Sequence, residues 1–371
     1  MKTPEEHPLG NPDEGPTGRT AGRRLARKRR VDAEVMWREG FASEDLQAGA
    51  RWRDKGHRAK VEVEKLPDVA GEGVQGMVTG VSRRTSSVEL PDGTVVEASY
   101  SPRLRLTRES LVATGDVVTV HPAPGSGWLL TEIGERRSKL SRPGPDARDH
   151  LDIVVAANLD VLVIVASVTR PVFHPRFVDR FLIAAQLGGI EAVLFLNKSD
   201  LLKDCEDVDL SVYADLGLKV LRGSAETGEG IEALESHLAG KISALAGHSG
   251  VGKTSLLNRL VPAACEDVGE VRSKDGRGRH TTTRASLHRM RCGGKLIDTP
   301  GIRELAMHRL EANQVQLYFP EIEQFFGQCR FNDCLHQSEP GCKVSEASQT
   351  GEIRPERLAS YLRILEGLRE H

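Results

Sequence analysis

The stretch Gly247-His248-Ser249-Gly250-Val251-Gly252-Lys253-Thr254 has the spacing G-x-x-x-x-G-K-[ST]. Glycines at these positions let backbone N–H groups turn inward around phosphate oxygens, at the N-terminus of a following helix. The neighbouring residues supply that context, because residues 243–246 form a short apolar, strand-like run and residues 255–260 have a helical pattern. The stretch therefore predicts a phosphate-binding loop in an α/β fold, with a purely structural glycine turn as the alternative.

Within this loop each residue type has an expected task. The Lys253 ammonium is expected to reach the β- and γ-phosphates of a nucleotide and to assist catalysis, and the Thr254 hydroxyl to ligate Mg²⁺. The remaining nucleotide contacts are expected from Gly247, His248, Ser249, Gly250, Val251, Gly252 and Ser255.

A second motif discriminates between nucleobases. Asn197-Lys198-Ser199-Asp200 follows the apolar run 192–196 and has the pattern N-K-x-D. The carboxylate of Asp200 can accept hydrogen bonds from guanine N1–H and the 2-amino group, and adenine has no such pair of donors. Its place after a strand is where α/β sheets bind ligands. The motif therefore favours GTP over ATP and argues against a P-loop kinase.

Two weaker elements complete the nucleotide set. Ser224-Ala225 follows the strand-like run 219–221 and is similar to the S-A-x element whose backbone supports guanine. The sequence D-T-P-G at 298–301 ends the run 295–297 and matches D-x-x-G. Asp298 is expected to hold the Mg²⁺ shell through water, and the Gly301 N–H to sense the γ-phosphate.

The segment G-R-G-R-H-T-T-T at 276–283 lies between the phosphate-binding loop and D-x-x-G, where the first switch is expected. One of its threonines should close over Mg²⁺. Thr283 is favoured because an arginine follows it, and Thr282 is the second choice.

The order of these motifs differs from that of ordinary GTPases, which run from phosphate loop and switch threonine through D-x-x-G to N-K-x-D and S-A-x. Here N-K-x-D and S-A-x come first, at 197–200 and 224–225. This order indicates a circular permutation, since the site depends on spatial and not sequential order. In this order the second switch is followed directly by the C-terminal part of the chain. A change between bound GTP and GDP could therefore be transmitted to that part.

The flanking sequence predicts three domains and an arm. Residues 1–70 read as a basic, partly disordered extension that is either solvated or in contact with RNA phosphates. Five short strand-like runs in 71–136 suit an OB-type β-barrel, with an SH3-like barrel as the alternative. Residues 137–149 suggest a linker, and apolar strands alternating with helices in 150–310 predict a mainly parallel α/β GTPase domain. Residues 311–371 are expected to form a small α-helical zinc-binding domain.

The zinc prediction rests on a cluster with the spacing C-x₄-C-x-H-x₅-C. Its members are Cys329, Cys334, His336 and Cys342. Three thiolates and one imidazole make the closed tetrahedral set of a structural zinc site, with no open position for catalysis. The alternative is three buried thiols and a surface histidine.

Composition limits the partners and the location. The 371 residues are 39% hydrophobic, carry a net charge of -2 and include no apolar run long enough to span a membrane. The chain opens M-K-T-P-E-E-H-P-L-G with no apolar signal segment. We therefore expect a cytoplasmic, monomeric protein that binds neither membrane nor DNA, with any RNA contact confined to a local basic patch.

The combination of motifs resembles one family. Permuted GTPase elements, a preceding OB-like barrel and a following cysteine cluster are similar to the bacterial ribosome small-subunit-dependent GTPase A family. The resemblance covers about residues 71–371, including G-H-S-G-V-G-K-T-S-L-L-N, N-K-S-D, G-R-H-T-T-T and D-T-P-G-I-R-E-L. Residues 1–70 are longer than this family usually carries, so their role does not transfer.

The resemblance implies slow GTP hydrolysis to GDP, stimulated by the small ribosomal subunit during its late maturation. It implies GTP or GDP, Mg²⁺ and one structural zinc ion as cofactors. Ile302 agrees with slow hydrolysis by the chain alone. It occupies the position where Ras-like enzymes have a water-orienting glutamine, and a hydrophobic side chain cannot position water. His280 is the candidate catalytic residue, with an RNA-contacting or solvated histidine as the alternative.

The implied partners are the small subunit and its rRNA, with the barrel and the zinc domain on either side of the GTPase. Phosphate contacts are expected from Arg103, Arg105, Arg108, Arg136 and Arg137. Two other functions stay open at this point: a permuted GTPase of large-subunit assembly, and a GTP-binding RNA-binding protein with negligible hydrolysis.

Overall fold

A computed structural model describes residues 72–82, 84–102, 104, 112–123, 127–143, 152–204, 207–261, 285–298 and 310–369. The described residues form two compact units. The smaller unit is residues 321–353, and the larger unit is the described residues up to 320 together with 354–369. The predicted extension at 1–70 lies outside the described residues, and the predicted division at 71, 150 and 311 stays a prediction.

The N-terminal part of the larger unit is a closed five-stranded barrel. Its strands are β1 (Val74–Val81), β2 (Thr85–Glu89), β3 (Val95–Tyr100), β4 (Val117–Ala123) and β5 (Gly127–Ile133). They pair in the closed order β1-β2-β3-β5-β4-β1, and β3 runs parallel to β5. This order confirms the OB-type barrel over the SH3-like alternative. The alternating inward residues Val78, Val88, Ala98, Val120 and Leu130 form its buried core.

The second part of the larger unit is an α/β domain. Its strands are β6 (Lys139–Pro143), β7 (Asp152–Ala157), β8 (Val161–Ser167), β9 (Glu191–Asn197), β10 (Lys219–Arg222), β11 (Ile242–Gly247), β12 (Ser286–Arg289) and β13 (Lys295–Asp298). Its helices are α1 (Pro175–Leu187), α2 (Ser211–Asp215), α3 (Ile231–Leu238) and α4 (Lys253–Leu260), with a 3-10 helix at Ser199–Asp204.

The strand order β10-β9-β8-β11-β13-β12 places the phosphate-loop strand β11 near the middle of the sheet. The first five strands of this order are parallel, and β12 is antiparallel to β13. Strands β8 and β11 are buried almost throughout, as expected for a sheet covered on both faces. Strands β9 and β10, which lead into the N-K-x-D and S-A-x loops, come before the phosphate-loop strand β11 in the chain. The permuted topology predicted from the motif order is therefore confirmed.

The barrel and the α/β domain share one eleven-stranded sheet, since β1 pairs with β12 at Gly80 and Ser286. Buried Glu89 on β2 strengthens this junction. Its carboxylate accepts hydrogen bonds from Arg289 and, at 2.8 Å, from Lys295 Nζ. The barrel is thus attached to the two strands that flank the predicted switch segments.

One expectation for residues 136–149 is wrong, and another gains a structural context. The predicted linker contains β6, which pairs antiparallel with β7. Arg136, expected on RNA, forms a bidentate ion pair with Asp116 at 2.7 and 2.8 Å. Arg137 pairs with Asp160 and donates to the Asn158 carbonyl. Both arginines are therefore held by ion pairs within the chain, which join the end of the barrel to the start of the α/β domain. The Arg137 side chain is 57% exposed, and a contact of these arginines with RNA stays a prediction.

The C-terminal part adds a 3-10 helix at Ala312–Tyr318, α5 (Pro320–Glu323), α6 (Lys343–Gln349) and α7 (Pro355–Arg369). In the larger unit, α7 packs on α1, where Arg357 pairs with Asp179. The smaller unit buries few apolar side chains of its own, namely Ile322, Val344, Ala347 and Ile353. Among the residues described, no helix combines the length and apolar character needed to cross a membrane.

Candidate functional site

The phosphate-loop residues connect β11 to α4 at the carboxyl end of the sheet, as predicted. Gly247 and Gly252 have φ angles of 153° and 97°. A Cβ at Gly252 would lie 2.3 Å from Asn197 Nδ2, and a Cβ at Gly247 would lie 2.3 Å from the Val165 carbonyl oxygen. Both positions therefore require glycine, because the loop is pressed against the ends of β8 and β9.

The Lys253 ammonium lies over this loop and donates hydrogen bonds to the carbonyl oxygens of Gly247 and His248, both at 2.9 Å. Thr254 and Ser255 follow in the first turn of α4 and are exposed. The arrangement puts a cation and two hydroxyls at a helix N-terminus, which is a favourable place for phosphate oxygens and their metal ion.

Asn197 joins three of the predicted motifs. Its Nδ2 donates to the Val251 carbonyl at 2.8 Å, and its Oδ1 accepts from the Ala225 N–H at 2.9 Å. Lys198 next to it donates to the Gly250 carbonyl at 2.8 Å. Burial lowers the pKa of the Lys198 ammonium. The N-K-x-D residues therefore brace both the phosphate loop and the S-A-x loop, although 54 residues separate Asn197 from Val251.

The base-recognition side of the site is open. Asp200 is exposed, so its carboxylate is accessible for donors on a ligand. Ser199 is fixed beside it, with Oγ donating to Glu229 Oε2 at 2.8 Å. Ser224 is fully buried, and its Oγ accepts from the N–H of Glu226 and of Thr227 at 3.1 and 3.2 Å. This side-chain bond gives the S-A-x loop a defined turn.

Asp298 ends β13, the strand beside β11, so its carboxyl group lies at the same edge of the sheet as the phosphate loop. Burial raises the pKa of Asp298, and the charges of His288 and Lys253 oppose that rise. A divalent cation near this carboxylate would favour its ionised form. Gly301, His280, Thr282 and Thr283 lie outside the described residues, so their predicted roles stay predictions.

Sequence reasoning missed two side chains that support the site, Glu229 and Arg259. Glu229 holds Ser199, and Arg259 in the last turn of α4 donates to the carbonyl oxygens of Ala225 and Glu226. Neither belongs to a motif, and an arginine near a helix C-terminus is ordinary. Only the folding of α4 against the S-A-x loop brings Arg259 to its partners.

The four predicted metal ligands meet in the smaller unit, where their ligand atoms all lie within 4.8 Å of one another. His336 Nδ1 lies 3.6, 3.5 and 3.4 Å from the sulfurs of Cys329, Cys334 and Cys342. The Cys329 and Cys342 sulfurs are 4.0 Å apart. His336 is only 3% exposed, which excludes the alternative of a surface histidine.

These separations can be compared with those of a tetrahedral ion. Zinc bonds of about 2.3 Å to sulfur and about 2.0 Å to nitrogen give edges of about 3.8 Å between sulfurs and about 3.5 Å between sulfur and nitrogen. The cluster is close to both values. Burial raises the pKa of the Cys334 thiol to about 12 and also raises that of Cys342, so a cation is needed to keep both as thiolates at neutral pH.

Comparison with known proteins identifies the family. The model of the RsgA GTPase family matches residues 133–308. The small ribosomal subunit biogenesis GTPase RsgA of Gemmatimonas aurantiaca is 40% identical over 279 residues, which are 73% of this chain and 90% of that protein. The chain belongs to the RsgA GTPase family. The RsgA protein of Azotobacter vinelandii is 38% identical over 92% of this chain and 98% of its own length.

Solved structures agree with this membership. YjeQ from Thermotoga maritima matches with a TM-score of 0.60 and 29% identity, over 81% of this chain and all of that one. YloQ, described as a circularly permuted GTPase, matches with a TM-score of 0.60 and 25% identity, over 81% of this chain and 96% of that one. The fold described here is therefore similar to that of a solved circularly permuted GTPase.

Proposed function

We propose that this RsgA-family chain hydrolyses GTP to GDP and phosphate, is stimulated by the small ribosomal subunit, and acts in late maturation of that subunit in the cytoplasm. The observation that carries the proposal is the convergence of Lys253, Asn197, Ala225 and Asp298 at one edge of the sheet, despite their permuted order. The printed names of the relatives supply the ribosomal context.

Different residues of the site are proposed to bind the base, the phosphates and the metal ion. Asp200 accepts from the guanine edge, and the Asn197 bonds hold the surrounding loops in place. Lys253 neutralises charge on the β- and γ-phosphates, and Thr254 and Asp298 are the residues that would hold Mg²⁺. When bound, Mg²⁺ supplies further neutralisation of the phosphate oxygens. Thr283 and Gly301 are proposed to close the site over the γ-phosphate.

We also propose that the cysteine–histidine cluster holds one structural zinc ion. The support is the donor set and the near-tetrahedral separations of its four ligand atoms. Soft thiolates and an imidazole select zinc over hard cations such as Mg²⁺.

RNA contact is proposed first for the predicted arginines whose guanidinium groups are not shown in an ion pair within the protein. Arg136 and Arg137 are paired with Asp116 and Asp160. The phosphate contacts would then fall to Arg103, Arg105 and Arg108, which lie outside the described residues.

The test is GTP turnover by the purified chain alone and with small subunits, large subunits or free rRNA. We expect stimulation by small subunits, and an Lys253→Ala variant that loses turnover on the order of 10²-fold because phosphate charge is no longer neutralised. Stimulation by large subunits instead would establish the large-subunit alternative. GTP binding without turnover under any condition would establish the non-hydrolysing one.

A separate prediction concerns the switch histidine. Replacing His280 with alanine is expected to abolish subunit-stimulated hydrolysis while the Kd for GTP stays within about twofold, since a group that acts only on the attacking water adds nothing to ground-state binding. Single-turnover hydrolysis and equilibrium binding, measured on the same preparation, check this. Undiminished stimulated turnover would contradict a catalytic role for His280.

A further inference from the structure

Arg259 connects the phosphate-loop helix to the S-A-x loop. It lies in the last turn of α4, six residues after Lys253. Its Nε donates to the Ala225 carbonyl oxygen at 2.8 Å, and its Nη2 donates to the Glu226 carbonyl oxygen. The two acceptors belong to adjacent peptides of the loop, so one guanidinium fixes both.

The backbone of Ala225 is consequently held on both sides of its Cα. Its N–H donates to Asn197 Oδ1 at 2.9 Å, and its carbonyl accepts from Arg259. Ala225 is only 5% exposed, so this backbone also packs against the core. A planar guanidinium presents its donors in a rigid fork, and two carbonyl acceptors therefore define the orientation of the loop more strictly than a single bond could.

Two further bonds of the loop are local. Ser224 N–H donates to the Glu229 carbonyl and Gly228 N–H to the Ser224 carbonyl, and both bonds maintain the shape of the turn. Asn197 links Ala225 to Val251 in the phosphate loop, which precedes α4. Among the bonds described, Arg259 is the one that ties the loop to the same helix whose first turn carries Lys253 and Thr254.

We propose that Arg259 is a positioning residue for guanine recognition. It holds the S-A-x loop in the position where the loop backbone supports the nucleobase, and it touches no part of the nucleotide itself. This inference rests on the proposed GTPase function. The guanidinium holds the loop in its binding position before the nucleotide binds. The free energy of binding is therefore not reduced by the cost of ordering the loop.

The test compares base-dependent with phosphate-dependent binding. In Arg259→Ala the Kd for GDP and the KM for GTP should both rise about tenfold, because two charge-assisted bonds that hold the loop are lost. We expect kcat with small subunits to stay within about twofold, since no group at the γ-phosphate changes. Inhibition by inorganic pyrophosphate, which needs the phosphate loop alone, should be unchanged. Arg259→Lys, with a single point of donation, should fall between wild type and Arg259→Ala.

Controls separate this role from a general defect in α4. Alanine is the most favourable residue in a helix, so Arg259→Ala leaves the helix itself intact. Arg363→Ala removes an exposed arginine from α7 and should bind GDP like wild type. Asp200→Asn removes the proposed acceptor for guanine and provides the reference for lost base recognition.

Each outcome bears on one of the two proposals. If wild type binds no guanine nucleotide, the proposed function fails. If Asp200→Asn weakens GDP binding while Arg259→Ala binds like wild type, the inference about Arg259 alone is overturned. A parallel loss of pyrophosphate inhibition and of thermal stability in Arg259→Ala would also overturn it, because the arginine would then be supporting α4 and not the base.

Discussion

Replacing Cys342 with alanine is expected to lower bound zinc from one ion per chain to near zero and to unfold residues 321–353. The smaller unit has only four buried aliphatic side chains, too few to fold a segment of this size by burial alone. Structural zinc contributes about 10–16 kcal/mol in zinc-finger peptides, and this free energy is then the free energy of folding. Cys342 also caps α6, since its Sγ accepts from the Ser345 N–H at 3.4 Å.

Metal analysis and hydrogen exchange measure the two effects together. In Cys342→Ala, amides in 321–353 should exchange at rates close to those of an unfolded chain, and a strong chelator should reproduce this in wild type. Cys292→Ala is the matched control, because that half-buried cysteine packs against the core of the larger unit and is not one of the four candidate ligands. Stoichiometric zinc with intact protection in Cys342→Ala would refute the zinc proposal.

Replacing Arg357 with alanine is expected to lower the free energy of unfolding of the larger unit by about 3–5 kcal/mol. Arg357 on α7 pairs with Asp179 on α1, and the two side chains are only 6% and 1% exposed. Its guanidinium also lies over Phe319, 4.5 Å from the ring centroid, and 5.9 Å from that of Tyr213. Truncation would leave a buried carboxylate without its cation and would remove both cation–π contacts.

The neighbouring arginine provides the comparison. Arg354 pairs with Asp215 at 2.6 Å, but its side chain is 42% exposed, so Arg354→Ala should cost less than about 1 kcal/mol. The double variant Asp179→Leu/Arg357→Met should recover most of the lost stability, because it removes both buried charges at once. Urea unfolding followed by circular dichroism measures all three. Equal losses in Arg354→Ala and Arg357→Ala would contradict the importance assigned to burial.

The nucleotide motifs could be placed from sequence because each is short and local. A G-x-x-x-x-G-K-T stretch carries its turn, its helix N-terminus and its cation within eight residues, so no distant contact is needed to recognise it. The same holds for the cysteine cluster, whose ligands span fourteen residues and whose four ligand atoms meet within 4.8 Å. The permutation was also predictable, because the order of the motifs can be read directly along the chain.

The boundaries around these motifs were less predictable. The sequence predicts a linker at β6 because this strand is short and ends at Pro143, and its pairing with β7 depends on residues after a gap in the strand pattern. The sequence also shows the charge of Arg136 and Arg137 and not their partners, so it predicts phosphate contacts without the ion pairs within the chain. In the folded chain each faces an aspartate brought close by the junction of barrel and sheet.

The chemical groups and the local elements that carry them can be read along the chain: the phosphate loop, the guanine motif, the candidate zinc ligands, and the strands and helices identified by their periodicity. The bonds that hold these elements together are visible only in the folded chain. Arg259 reaches Ala225, and Glu89 reaches Lys295, across 34 and 206 residues. The helix or strand propensity of a long polar side chain does not specify its hydrogen-bond partner. That partner is fixed only when the packing of the sheet brings distant groups within reach.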